Sequence, residues 1–307
     1  MLVVLVVTYV AAVVFVAAVV ARVVKYATTP IHLRWELYPV PHEKGRAAWG
    51  GSIFEELEWW KKPRRLDRIG ELRQMLAEIA LLKGVWHHNR KLWFFSFPFH
   101  LGLYLLIGWL LLLLVAGILI NTGTALRGTV GDVFSWLVYL SGYGGLGLLI
   151  LGALGLLLRR VFDGGIRRYS SPAEYINLLF ILAVAVVALI AQATTDPGFG
   201  RLAGYLASVI GFSRPRPLPT LLAVEVVAGA LLVAYIPLTR MAHFVAKYFL
   251  YHDVRWADEP NTRGGRIEGQ LKQVFAYRLN WSARHIQQGK SWAEVGTNLQ
   301  GVEEVKK

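Results

Sequence analysis

The sequence lacks cysteine altogether, and only 17% of its 307 residues are Asp, Glu, Lys or Arg. Without Cys the chain has neither a thiolate set for an iron–sulfur cluster nor a CxxCH motif for covalent haem. The low charge and the 55% share of hydrophobic residues exclude an ordinary soluble domain. No motif resembles those of nucleic-acid-binding proteins, so we expect no nucleic-acid partner despite the net charge of +13.

Five apolar stretches are long enough to cross the ~30 Å hydrocarbon layer, which takes about 20 residues of helix. They are Leu2–Val24, Phe97–Ile120, Val133–Leu158, Glu174–Ala193 and Thr220–Leu250. The first lacks a positively charged flank before it, and its apolar core exceeds that of a cleaved signal peptide, so we interpret it as a retained helix. The sequence therefore predicts an all-α integral membrane bundle of five helices.

The chain divides into four segments on this basis. Residues 1–26 form the first transmembrane helix, 27–96 a cytoplasmic or interfacial insertion, 97–250 a four-helix transmembrane core, and 251–307 a cytoplasmic tail. Within the insertion, apolar residues recur at helical spacing over Phe54–Leu82, which predicts an amphipathic helix on the membrane face or under a partner. The tail is hydrophilic, and Gly269–Gln288 is predicted to be helical.

Orientation follows from the distribution of positive charge. With five spans, the hydrophilic segments on one side carry 29 Lys and Arg, and those on the other side carry 4. Cytoplasmic segments are the ones enriched in Lys and Arg. We therefore expect a multi-pass protein of a prokaryotic cell membrane, with its amino terminus outside and its carboxyl terminus in the cytoplasm, in contact with membrane lipid.

Histidine is absent between Leu101 and Ala242, and only His100 and His243 fall within predicted spans. His100 follows Pro98, which suits a helix start. The second and fifth spans run in opposite directions, so at 1.5 Å per residue the two histidines lie at depths that agree within about 5 Å. Such a pair could ligate one haem, but each could also be a lone interfacial histidine bonded to a carbonyl, or part of a proton relay.

Basic residues near these histidines are candidates for binding haem propionates. Arg240 lies three residues before His243, hence on the same face of a continuous helix, and its guanidinium suits a carboxylate. It could instead extend to the lipid headgroups. Lys247 and Arg90 are weaker candidates for the same role.

Two short motifs resemble a known family. The run Phe97-Pro-Phe-His-Leu-Gly-Leu-Tyr-Leu-Leu-Ile-Gly108 is similar to the second helix of respiratory nitrate reductase gamma subunits (NarI-like), and Leu238-Thr-Arg-Met-Ala-His-Phe244 is similar to their fifth. The long basic insertion is more like that of the DsrM type, which is associated with heterodisulfide-reductase-like subunits. The resemblance covers the five-helix core but neither the insertion nor the tail.

The resemblance implies a haem b subunit of an anaerobic respiratory complex. It would be a quinone-reactive electron-transfer subunit of a membrane oxidoreductase, linking the quinone pool, with menaquinone the expected quinone, to a cytoplasmic heterodisulfide-reductase-like iron–sulfur subunit. The family's inner haem pair corresponds to His100 and His243. Its outer pair corresponds to Leu110 and Glu225, neither suited to a bis-histidine site, so we expect no outer haem.

A second haem remains open lower down, between His88 and His252, with His87 as another possible ligand. Against it, His252 lies on the opposite helix face from His243 if the helix continues, and His87 and His88 precede Pro98 and could belong to a separate element. As interfacial groups, His87 and His88 are instead candidates for proton exchange with a quinone.

Three further alternatives stay open. The small residues of the third span favour close helix packing, although they could also leave room for a porphyrin or quinone. The chain could be a haem-free membrane anchor for a cytoplasmic redox enzyme. It could also be a small transporter, but the nearly bare midplane of its spans argues against this.

Overall fold

A computed structural model describes residues 1–28, 57–58, 68–250 and 263–298 of the chain. These residues belong to two compact units: Met1–Val19 with Leu76–Ala242, and Val20–Met75 with His243–Lys307. The helices are α1 (Leu2–Thr28), α2 (Arg68–Leu81), α3 (Lys83–His88), α4 (Arg90–Thr122), α5 (Gly128–Phe162), α6 (Gly164–Tyr169), α7 (Pro172–Thr195), α8 (Gly200–Ile210), α9 (Thr220–Tyr235), α10 (His243–Leu250), α11 (Arg266–Phe275) and α12 (Trp292–Gly296).

The predicted all-α membrane fold is confirmed. Within the described ranges five helices are long and apolar enough to cross a membrane: Leu2–Thr28, Arg90–Thr122, Gly128–Phe162, Pro172–Thr195 and Thr220–Leu238. A helix satisfies its backbone donors and acceptors internally, which is what the hydrocarbon layer demands. The same ranges contain no β-strand, only two isolated bridges in the tail. The protein is therefore a multi-pass membrane protein in contact with lipid.

The second spanning helix begins earlier than expected. α4 starts at Arg90, where the Asn89 side chain accepts a hydrogen bond from the Leu92 backbone amide at 3.0 Å. Asn at such a position caps the orphan amides of a first turn. Pro98 consequently lies inside α4 rather than at its start, which corrects the interpretation based on the sequence. The separate element that the sequence allowed for His87 and His88 exists, as α3.

The fifth spanning segment is not one helix through Leu250, which is a second correction. α9 ends at Tyr235, a 3-10 turn covers Ile236–Leu238, and another covers Arg240–Ala242. Pro237 has no amide hydrogen, and its ring would clash with the carbonyl four residues earlier, so it ends the α-helix. Thr239 is extended, and its side-chain oxygen accepts from the Met241 amide at 3.2 Å, which starts the second turn.

Close packing of α4 on α5 and of α5 on α7 forms one core of the first unit. Phe99, Leu146, Ala153 and Ile181 are among its buried residues. A Cβ added at Gly102 would lie 2.5 Å from the Leu149 backbone nitrogen, so only glycine permits this approach. Gly144 and Gly147 face open space. The small residues of α5 therefore serve both helix packing, as favoured from the sequence, and an open face.

A short helix, α8, occupies the connection before α9. Asp196 caps it by accepting hydrogen bonds from the backbone amides of Arg201 at 3.0 Å and Leu202 at 2.9 Å. Tyr205 is buried, and its hydroxyl lies 2.6 Å from that of Thr8 on α1. The helix thus joins α1 to the bundle.

Of the insertion's predicted amphipathic helix, α2 is confirmed, and its apolar residues Leu72 and Leu76 are exposed. Most of residues 54–67 lies outside the described ranges. In the tail, the predicted helix over Gly269–Gln288 is wrong beyond Phe275, where α11 ends. From there the chain turns back, with Leu279 donating its amide hydrogen to the Lys290 carbonyl at 2.9 Å and burying its side chain.

Candidate functional site

His100 lies on α4, half-buried, with its imidazole tied to its own helix. Its Nδ1 is 2.7 Å from the Ser96 backbone carbonyl oxygen and 3.3 Å from the Ser96 hydroxyl. A carbonyl oxygen only accepts, so Nδ1 carries the hydrogen. The neutral imidazole is therefore the tautomer whose Nε2 holds the lone pair.

This tautomer is the one that a metal-ligating histidine needs when it binds through Nε2. Ligating histidines ordinarily donate their other ring N–H to a carbonyl or carboxylate, which fixes the ring orientation and raises ligand basicity. The Ser96 carbonyl supplies that acceptor from within one helical turn. His100, held by the Ser96 carbonyl, therefore fits a residue that would bind haem iron through Nε2.

Aromatic and apolar groups surround the imidazole. The Phe99 ring meets it edge-on with centroids 5.4 Å apart, and the Tyr104 ring lies 6.5 Å away. Ile107 and Leu111 lie seven and eleven residues after His100 on α4, which places them on the same face of the helix as His100. They are 59% and 58% exposed. A flat apolar macrocycle or lipid chains would be suited to cover this face.

His243 and Arg240 lie on different elements. His243 is the first residue of α10 and is exposed, in the second unit, whereas His100 and Arg240 belong to the first. Arg240 is exposed in the 3-10 turn that ends at Ala242. A shared face for Arg240 and His243 requires a continuous α-helix. The predicted match in depth between His100 and His243 requires the same continuity. Both geometric arguments therefore lose their basis, although the residues remain candidates.

Of four further sequence candidates, three lie within the described residues and one does not. His87 and His88 are the last two residues of α3 and are both exposed. Arg90 is placed over the Trp86 ring, 4.9 Å from its centroid, in a cation–π arrangement, so its guanidinium already has a role. His252, proposed as the partner of His88 in a second haem site, lies outside the described residues.

Leu110 and Glu225, the two positions that the sequence resemblance matches to outer haem ligands, have different surroundings. Leu110 is 41% exposed on the surface of α4. Glu225 is buried on α9, and both of its carboxyl oxygens lie 2.8 Å from the Gln192 amide nitrogen. Sequence analysis singled out Glu225 but missed Gln192. The sequence signal that could have indicated Gln192 is its polar amide within the last apolar turns of a spanning helix.

The first unit contains further polar groups, two of which lie near Glu225. Asp196 and Tyr143 are within electrostatic range of Glu225, and the Tyr143 hydroxyl donates a hydrogen bond to the Pro197 carbonyl at 3.1 Å. Trp109 packs edge-on against the buried Phe199 ring at 5.3 Å, and its Nε1 is buried without a hydrogen-bond partner among the described residues. The bundle therefore has a buried polar cluster that hydropathy alone does not indicate.

No protein-family model matches the chain, and no curated protein matches it in sequence.

Proposed function

We propose that this protein is the haem b membrane subunit of a respiratory complex, transferring electrons between the quinone pool and a cytoplasmic iron–sulfur partner. The observation that carries the proposal is the tautomer of His100, whose Nδ1 donates to the Ser96 carbonyl at 2.7 Å. An intramembrane ionisable residue is a functional candidate by default. The motifs around His100 and His243 resemble those of the nitrate reductase gamma family, and this resemblance supports haem as the group that the histidines would bind.

In this proposal His100 and His243 are the residues that would hold the haem iron. Haem, when bound, would supply a one-electron redox centre whose electronics belong to the cofactor. Ser96 orients the His100 ring through its carbonyl, and the α4 face that continues at Ile107 provides an apolar wall. Arg240 is the candidate partner of a propionate, because a guanidinium matches a carboxylate in a fork geometry.

The partner and the orientation are parts of the same proposal. The chain contains no cysteine, so any iron–sulfur cluster must belong to another subunit, for which a heterodisulfide-reductase-like protein is the proposed identity. The 29-to-4 distribution of Lys and Arg supports a cytoplasmic tail and an external amino terminus in a prokaryotic cell membrane. Menaquinone is the proposed quinone, with His87 and His88 as proton-exchange candidates at the inner surface.

The test is the reduced-minus-oxidised absorption spectrum of the purified chain and of its His100→Ala and His243→Ala variants. We expect a b-type spectrum in the parent and its loss or conversion to a high-spin form in each variant. His285→Ala is the matched control, since His285 is exposed in the tail and should leave the spectrum unchanged. An undiminished b-type band in both variants would refute the ligand assignment. A parent chain without haem would instead favour the haem-free anchor.

A further inference from the structure

Gln192 and Glu225 form a polar pair inside the bundle, near the carboxyl end of α7 and the amino end of α9. Gln192 is 0% exposed and Glu225 is 6% exposed. Under the proposed orientation this places the pair in the outer half of the membrane, away from His100. The pair is independent of the haem assignment, because it rests on contacts within one unit only.

Negative charge on Glu225 would have little compensation. Neither of the ion pairs formed within the described ranges includes Glu225. Among the residues that the structure describes, Asp196 beyond the end of α7 and Tyr143 on α5 are within electrostatic range of it, and neither brings a positive charge. A buried carboxylate without a cation is strongly unfavourable, and such groups ordinarily become neutral by taking up a proton.

The amide of Gln192 gives independent evidence. Its Nε2 lies 2.8 Å from both carboxyl oxygens, while its Oε1 is buried and has no hydrogen-bond partner among the described residues. A buried acceptor without a donor is costly. A protonated Glu225 has one O–H that can donate to Oε1, while its carbonyl oxygen accepts from Nε2.

The same conclusion holds if the oxygen and nitrogen of the amide exchange places, an assignment that rests on the hydrogen-bond network. Gln192 Oε1 would then face both oxygens of Glu225, and acceptor would oppose acceptor unless the carboxyl group carried a hydrogen. In either orientation the proton on Glu225 is what completes the hydrogen bonding.

We propose that Glu225 and Gln192 form a buried proton-binding site, in which Glu225 is a neutral carboxylic acid at pH 7 joined to the Gln192 amide by two hydrogen bonds. Uptake converts the carboxylate and one solvent proton into the carboxylic acid, with no other bond made or broken. The site provides a proton-holding group where the family has an outer haem ligand.

The experiment is infrared difference spectroscopy on the full-length chain in lipid bilayers at pH 7, comparing the parent with Glu225→Gln. We expect the parent to show the carbonyl band of a protonated carboxylic acid, downshifted in D2O and absent from the variant. Glutamine retains both hydrogen bonds to Gln192, so the variant should fold. Gln192→Leu should keep the band but move it to higher frequency, since the carbonyl loses its donor.

Glu174→Gln is the matched control. Glu174 lies 3.0 Å from the Arg160 guanidinium in an ion pair at the start of α7, so its replacement should leave the acid band unchanged. An isotope label at glutamate carboxyl carbons makes the parent informative by itself, because the band must shift with the label. Absence of a label-sensitive acid band at pH 7, or carboxylate bands of Glu225 that depend on added sodium, would overturn the proposal.

Discussion

At Gly102 the contact between α4 and α5 leaves no room for an added methyl group. An ideal Cβ there would lie 2.5 Å from the Leu149 backbone nitrogen and 2.8 Å from the Gly145 carbonyl oxygen, whereas ordinary contacts begin at 3.4 Å. Both obstacles are backbone atoms, so a side-chain rotation does not relieve them. In Gly102→Ala, α4 and α5 must therefore separate by about 0.9 Å along this direction.

The consequence is a loss of contact along the whole α4–α5 interface. Overpacking a close-packed interior costs about 1–3 kcal/mol. The better helix propensity of Ala returns about 1 kcal/mol at most. We expect Gly102→Ala to destabilise the protein by up to about 2 kcal/mol, the difference between these two effects.

The change in the free energy of unfolding is measured by titrating the detergent-solubilised protein with denaturant and monitoring helix content by circular dichroism. The control is Gly108→Ala on the same helix, where nothing lies within 4 Å of the added Cβ. That variant should equal or exceed the parent in stability. Equal stabilities of the two variants would show that α4 and α5 do not meet as closely as described, and would refute the reasoning.

Three further outcomes follow from the charge pattern and the tail. If electrons pass only through an inner haem, turnover moves little charge across the membrane, so its rate in proteoliposomes should be nearly independent of membrane potential. Moving one charge fully across would cost about 2.3 kcal/mol per 100 mV, so a strong dependence of the rate on potential would contradict the proposal. Deleting residues 256–307 should abolish pull-down of the cytoplasmic iron–sulfur partner, and unchanged recovery would remove the tail from that interface. Hydrogen bonds from the Ser291 backbone amide and hydroxyl lower the pKa of Glu294 below its ordinary value of 4.5. The α12 cap is therefore fully stabilising above pH 4.5, and its contribution is lost as the pH falls through the lowered pKa of Glu294. In Ser291→Ala, the pKa of Glu294, followed by NMR, should move back toward 4.5. An unchanged pKa would show that the Ser291 hydroxyl contributes nothing.

Helix breaks show where sequence reasoning lost accuracy. Proline is tolerated within membrane helices because neighbouring groups restore the freed hydrogen bonds. Pro98 and Pro237 therefore look alike in the sequence, yet α4 continues through the first, and the fifth segment breaks at the second. The tail behaves similarly: Leu279 and Ile286 fit a helical pattern but are buried in a turn-back instead.

The sequence by itself determined the presence of five spans, the all-α class and the isolation of His100 among apolar residues, because hydropathy and the cost of intramembrane polar groups act locally along the chain. Only the tertiary structure decided which partners those groups find. The bond of His100 to the Ser96 carbonyl is made within one turn of α4 and is local, whereas the pairing of Glu225 with Gln192 joins residues 33 apart on two helices. Packing at Gly102 is decided in the same way, since it depends on the distance between two helices, which no local pattern encodes.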